Sequence, residues 1–174
     1  MARDWRPDIA RLIQIKQAIA AADTNGVWEF HLPKVAATPD EIAAVELDLD
    51  VQLDAGYRNF LRYANGWPSF FQSVDLFGTA DLAGGPRMGV TRRMLESLEP
   101  VVLEQGGHLG SQLIPIAATA VDLDMFVMKS VAGHQEPTVV WLAGNVIDQF
   151  ECFEDYVLAM IEYNARELAA FMDA

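Results

Sequence analysis

The sequence predicts an α+β domain: an antiparallel sheet of about five or six strands, an N-terminal helical hairpin ahead of it and a C-terminal helix packed on it. Three observations predict this. Apolar residues recur at helical spacing near both ends, the middle carries short apolar runs divided by turn-forming residues, and a strong capping signal opens a helix at Thr38.

From Pro7 to Ala22, Ile9, Leu12, Ile13 and Ile19 mark one helical face, and Asn25-Gly26 supplies the stop. Val27 to Leu32 then alternates, with Trp28, Phe30 and Leu32 on one side, which reads as a half-buried extended segment or a structured loop. Thr38-Pro39-Asp40-Glu41 combines a capping hydroxyl, a proline at the first helical position and an acid three residues after the cap. A second helix should start there and bury Ile42, Val45 and Leu49. After a short apolar link, Tyr57, Phe60, Leu61 and Ala64 mark a third helix closed by Asn65-Gly66, a pair suited to positive φ.

Beyond Gly66 the period shortens. Phe70 to Phe77, Leu113 to Ala117, Met125 to Lys129, Thr138 to Leu142 and Val146 to Phe150 are apolar and partly β-branched, as strands require. Between the first two, Thr91 to Gln105 reads as helical, with Pro100 breaking or kinking it. Glu154 to Met172 is the closing helix, its face of Val157, Met160, Ile161, Leu168 and Phe171 covering the sheet while Glu162, Arg166 and Glu167 stay in water.

Nothing divides the 174 residues into separate units, so residues 1–174 are expected to form one domain. Hydrophobic residues at 52% and charged residues at 21% place the chain among folded globules. The 25 acids against 12 bases leave a net charge of −13, which repels phosphate backbones and anionic lipid, and argues against direct nucleic-acid binding. A surface this acidic either serves solubility or meets a basic partner. A single cysteine, Cys152, and the lack of an apolar leader or a membrane-length apolar run point to the cytoplasm and away from the bilayer.

The segment TPDEIAAVELDLDVQLDAGYRNFLRYANG, residues 38–66, resembles the signature of the SUKH superfamily, in which an acidic capped helix with a central Glu leads through a short link to an aromatic-rich helix ending in Asn-Gly. The matching positions are Ile42, Glu46, Leu49, Val51, Leu53, Tyr57, Phe60, Leu61, Asn65 and Gly66, in register without a gap. Weaker likeness continues through 75–78 and 114–117 and into 153–158; residues 1–37 lie outside the signature. Asp50 and Asp54 depart from it, standing where that family usually has Gly and Pro. The resemblance implies a non-catalytic role, without cofactor, as an immunity protein that binds and blocks a cognate bacterial toxin, often a nuclease. Its alternative is a regulatory or scaffold module, as in the yeast member that regulates cell-wall synthesis.

Candidate sites follow from chemistry. His31, His108 and His134 lie in separate segments without zinc spacing and read as surface or turn residues, so no metal site is expected. Gly84 to Gly89 lacks the Lys-Ser/Thr pair of a phosphate loop and reads as a flexible loop, and Cys152, beside acids, as a small buried filler. Glu46 should sit at the core's edge and hydrogen-bond a nearby backbone or Arg, while Tyr57, Phe60, Asn65 and Gly66 are structural. For partner binding the candidates are exposed acids near aromatic anchors: Asp48, Asp50 and Asp54 beside Trp67, and Asp122 with Asp124 in a sheet turn.

Overall fold

The computed structural model describes residues 2–108, 112–130 and 139–173. Three helices come first: α1 (Arg6–Ala22), α2 (Pro39–Leu49) and α3 (Ala55–Leu61). A hairpin of β1 (Trp67–Phe71) and β2 (Val74–Leu76) follows, then α4 (Thr79–Leu82), α5 (Pro86–Glu96) and α6 (Pro100–Gln105). The strands β3 (Gln112–Ala118), β4 (Met125–Ser130), β5 (Val139–Leu142) and β6 (Val146–Phe150) complete the sheet, and α7 (Phe153–Asp173) closes the chain.

The six strands pair in chain order, β1-β2-β3-β4-β5-β6, each neighbour antiparallel. Successive side chains on a strand point to opposite faces, yet neighbours Phe126 and Val127 on β4 are both fully buried, so both faces of the sheet centre are covered. On one face Phe70, Phe126 and Phe150 set their rings 5.0 to 6.1 Å from Tyr156 of α7. Burying each such ring contributes about 2–3 kcal/mol against leaving it in water. Helices α5 and α6 pack beside β3 and β6.

The capping signal forms as its chemistry dictates. Thr38 Oγ1 accepts from Glu41 N at 3.2 Å, and Glu41 Oε2 accepts from Thr38 N at 2.7 Å, so two amides at the start of α2 are satisfied reciprocally. The Thr38 amide, and with it the Thr38 hydroxyl, holds the Glu41 carboxyl below the usual carboxylate range. Ile42 and Val45 are buried as expected, whereas Leu49 is half-buried.

Several expectations change. The run from Phe70 to Phe77 is a hairpin rather than one strand, because Gln72 adopts φ 50° and reverses the chain. Residues 91–105 form two helices, with Pro100 opening the second where its missing N–H costs nothing. The glycine-rich stretch 84–89 is no flexible loop: Pro86 starts α5 there. Of the two readings of residues 27–32 the loop is the one that forms, with Phe30 and Leu32 exposed and not half-buried. Thr138, expected to begin a strand, lies outside the described residues.

The N-terminal segment is tied into the core. Trp5 is fully buried, with its ring 5.3 Å from Phe60 and 6.1 Å from Phe153, and α1 runs along α7. Arg3 stacks over the Trp5 ring at 4.9 Å while pairing with Asp8 at 2.9 Å.

Candidate functional site

A cleft of about 560 Å³ opens between three segments: the loop after α1, the β1–β2 hairpin and the β3–β4 turn. The loop wall begins where α1 stops. Asp23 Oδ2 accepts from Trp28 N at 2.8 Å, and backbone amides of Val27 and Trp28 hold that carboxyl below its ordinary value. Three further bonds fix the path: Trp28 Nε1 donates to Glu167 Oε1 at 2.7 Å, Trp67 Nε1 to the His31 carbonyl at 2.9 Å, and Lys34 N to the Gly66 carbonyl at 2.9 Å. Val27 and Glu29 are left facing water at the rim.

The hairpin wall is strained. Ser69 and Gln72 have φ of 49° and 50°, and they are two of the three non-glycine residues with positive φ among the described residues. A side chain in that region costs about 1–2 kcal/mol, so each needs a compensating contact. Ser69 N donates to Asp75 Oδ1 at 2.5 Å, and Gln72 Nε2 donates to Glu167 Oε2 at 2.9 Å. Asp75 is paired in turn with Arg87 of α5. Glu167 thus joins the loop to the hairpin, one oxygen to each.

The third wall is the turn after β3, which brings Ala120 and Val121 to the cleft. Val121 is 77% exposed and Leu123 59% exposed, while Asp122 between them is also exposed. Asp122 Oδ1 accepts from Asp124 N at 3.0 Å, and Asp124 Oδ1 accepts from Trp141 Nε1 at 2.5 Å. Burial, with the neighbouring Asp122 charge adding to it, pushes the Asp124 carboxyl above its usual range despite the Trp141 bond. Arg87 is the one cation lining the cleft among the described residues, and Asp75 holds it; Glu29 pairs only with His31, at 2.9 Å.

The residues singled out by sequence fall in different places. Asp48 and Asp50 are exposed at the end of α2, Asp50 forming its left-handed cap at φ 52°. Asp54 caps α3, accepting from Tyr57 N at 2.9 Å. None of these three lines the cleft. Trp67 is no surface anchor for them: its ring is fully buried and packs 5.7 Å from Phe70. Asp122 and Asp124 do sit in a sheet turn, the one whose Ala120 and Val121 line the cleft, though neither lines it itself.

Glu46 accepts from Leu53 N at 2.8 Å and pairs with Arg58 Nε at 3.2 Å, which fastens the α2–α3 link to both helices. Tyr57 and Phe60 are core residues, and Tyr57 OH donates to the Phe77 carbonyl at 2.8 Å. The Asn65-Gly66 pair does not end α3, which stops at Leu61 with Arg62 as its cap; it locks the loop that follows. Asn65 Oδ1 accepts from Thr79 N at 2.7 Å and its Nδ2 donates to Thr79 Oγ1 at 2.8 Å, while a Cβ on Gly66 would stand 2.7 Å from the Gly78 amide nitrogen.

His31 is exposed at the cleft, but His108, expected at a surface or turn, is buried, and burial lowers its pKa. His134 lies outside the described residues. Cys152 is half-buried and its thiol is pushed up by burial, away from the reactive thiolate. Among the described residues, no cluster of three or more His, Cys, Asp or Glu side chains is placed to hold a metal ion.

With the geometry established, one comparison decides the family: the family model SMI1 / KNR4 family (SUKH-1) matches residues 36–159, most of the chain. The chain belongs to this family. Among curated proteins, none matches it. The matched SUKH span contains α2, α3, all six strands and the first turns of α7, but stops short of Glu167 and begins after the 27–31 loop. The SUKH sheet therefore supplies two walls of the cleft, and segments outside the match supply the third wall and its clamp. No helix among the described residues is long and apolar enough to cross a membrane.

Sequence reasoning missed this clamp. The sequence puts Trp28 on an apolar face and Glu167 on a wet one, and nothing local suggests that they meet. The one local signal is the polar break Gln72-Ser73 between two apolar runs, which separates β1 from β2.

Proposed function

We propose that the protein is a bacterial immunity protein that binds a cognate toxin domain in the cytoplasm and neutralises it by occlusion, acting as one domain without chemistry of its own. The observation that carries this reading is the joining of a SUKH match over residues 36–159 to a net charge of −13. Excess negative potential speeds encounter with a basic protein and covers the kind of surface a nuclease uses for its substrate. The exposed acids Asp48, Asp50 and Asp122 contribute to that field.

Co-expression with the product of the neighbouring gene tests the proposal. The expected result is a complex that survives gel filtration, together with rescue of growth from that product's toxicity. A neighbouring product that is harmless when expressed alone, or one that kills equally with and without this chain, overturns it.

A further inference from the structure

We infer that the cleft between the 27–31 loop, the β1–β2 hairpin and the β3–β4 turn is the recognition surface, and that its occupant is a segment of a partner protein carrying an arginine or lysine beside an aliphatic side chain. The inference rests on the protein-binding reading above and goes beyond it by fixing the face and the chemistry.

Three independent features converge on this cleft. The first is charge: Glu29, paired with His31 but with its side chain 80% exposed, stands on one rim and exposed Asp122 beside the opposite one, while Arg87, the only Lys or Arg lining the cleft among the described residues, is already held by Asp75. A partner's cation meets no competing free cation there, and a partner's carboxylate meets repulsion. The second is the apolar rim: Val27 and Val121, which line the cleft, are each more than half exposed, as is Leu123 two residues after Val121. Apolar side chains on rims of acidic charge suit a basic amphipathic strand or loop better than a free small cation, which gains nothing from them.

The third feature is strain. Two left-handed non-glycine residues, Ser69 and Gln72, are held in place beside the cleft by Asp75 and Glu167. Such conformations persist where the surroundings over-determine them, and they keep a wall fixed before a partner arrives. The wall opposite is equally fixed, because Trp28 shares Glu167 with Gln72. A pre-formed groove of this size accommodates a few side chains of an extended segment.

The test uses the full chain labelled with ¹⁵N and a synthetic peptide alternating leucine and arginine, with a leucine–glutamate peptide as control. Binding of the first peptide is expected, with amide shifts concentrated at Val27, Ser69, Gln72 and Val121, and no binding of the second. The paired change Glu29→Gln with Asp122→Asn should weaken binding about tenfold. Asp48→Asn with Asp50→Asn, an equal change in charge away from the cleft, should leave affinity within about twofold. No binding, shifts centred elsewhere, equal binding of the acidic peptide, or equal weakening by both pairs overturns the inference. Should a variant misfold, the wild-type shift map still decides. In the co-expression assay, rescue that is unaffected by Glu29→Gln with Asp122→Asn sinks this surface while leaving the immunity reading intact; peptide binding at the cleft without any rescue does the reverse.

Discussion

Trp28 and Glu167 stand 139 positions apart in the chain and 2.7 Å apart in space, the indole Nε1 donating to Oε1. The other oxygen of the same carboxylate holds Gln72 at 2.9 Å. Glu167→Ala removes both bonds at once and leaves a half-buried indole N–H without an acceptor. The expected loss is about 1–3 kcal/mol in urea denaturation, together with faster amide exchange at Trp28 and Gln72. Unchanged exchange at both amides would show that the loop is held by something else.

Lys16 on α1 is buried, shares a small gap with Trp28, Phe30 and Asn164, and has no ion pair among the described residues. Burial lowers its pKa to about 8. The charged form is disfavoured in the folded state but not in the unfolded one, so the cost is fully present below pH 8. It shrinks as pH rises from 8 toward the unfolded value, because over that window the unfolded chain binds the extra proton. Lys16→Met, which keeps the aliphatic stem, should therefore raise stability at pH 7 by about 1–3 kcal/mol. Denaturation at pH 7 and near pH 10 should show the gap between variant and parent narrowing; a constant gap would point to packing alone.

Glu46 ties the α2–α3 link through Leu53 N and Arg58. Glu46→Gln retains an acceptor for Leu53 and loses only the partly exposed ion pair, so it should cost less than about 1 kcal/mol. Glu46→Ala orphans the Leu53 amide and should cost about 1–3 kcal/mol. Equal losses in chemical denaturation would assign the whole effect to the Arg58 pair.

Gly66 and Gly78 pass so closely that a Cβ on either meets the backbone of the other's segment, the one on Gly78 running into the Asn65 carbonyl. Gly78→Ala should cost 3 kcal/mol or more, since backbone and not a movable side chain lies in the way. Thermal unfolding of the variant checks this, and Gly84→Ala serves as control for strain without a clash: its φ is 99° but nothing stands within 4 Å of the added Cβ.

The elements that were legible before folding are those whose cause is local. The Thr38 cap, the proline at the start of α2, the face of Tyr57, Phe60 and Leu61, the continuous apolar runs of β3 and β4 and the alternating β6 each carry their signal within a few residues. What stayed hidden depends on pairs distant in sequence. Trp67 reads as an exposed anchor beside acids and is in truth sealed by the His31 carbonyl, and Trp5 sits in a polar stretch yet fills a gap between Phe60 and Phe153. Gln72 offers no hint of positive φ, because what holds it there is residue 167. Of the acids chosen for binding, Asp122 lies beside the cleft because a turn signal is local, whereas the other rim depends on Glu29, whose position follows from a tertiary clamp.

The run of α1 along α7 also sets an order of assembly. During synthesis the sheet strands can pair as they emerge, but Trp28 finds no acceptor until residue 167 has left the ribosome, and Gln72 stays in an uncompensated turn for as long. A nascent chain can therefore hold a nearly finished sheet while still unable to grip anything, and the groove becomes competent only with the last turns of the final helix.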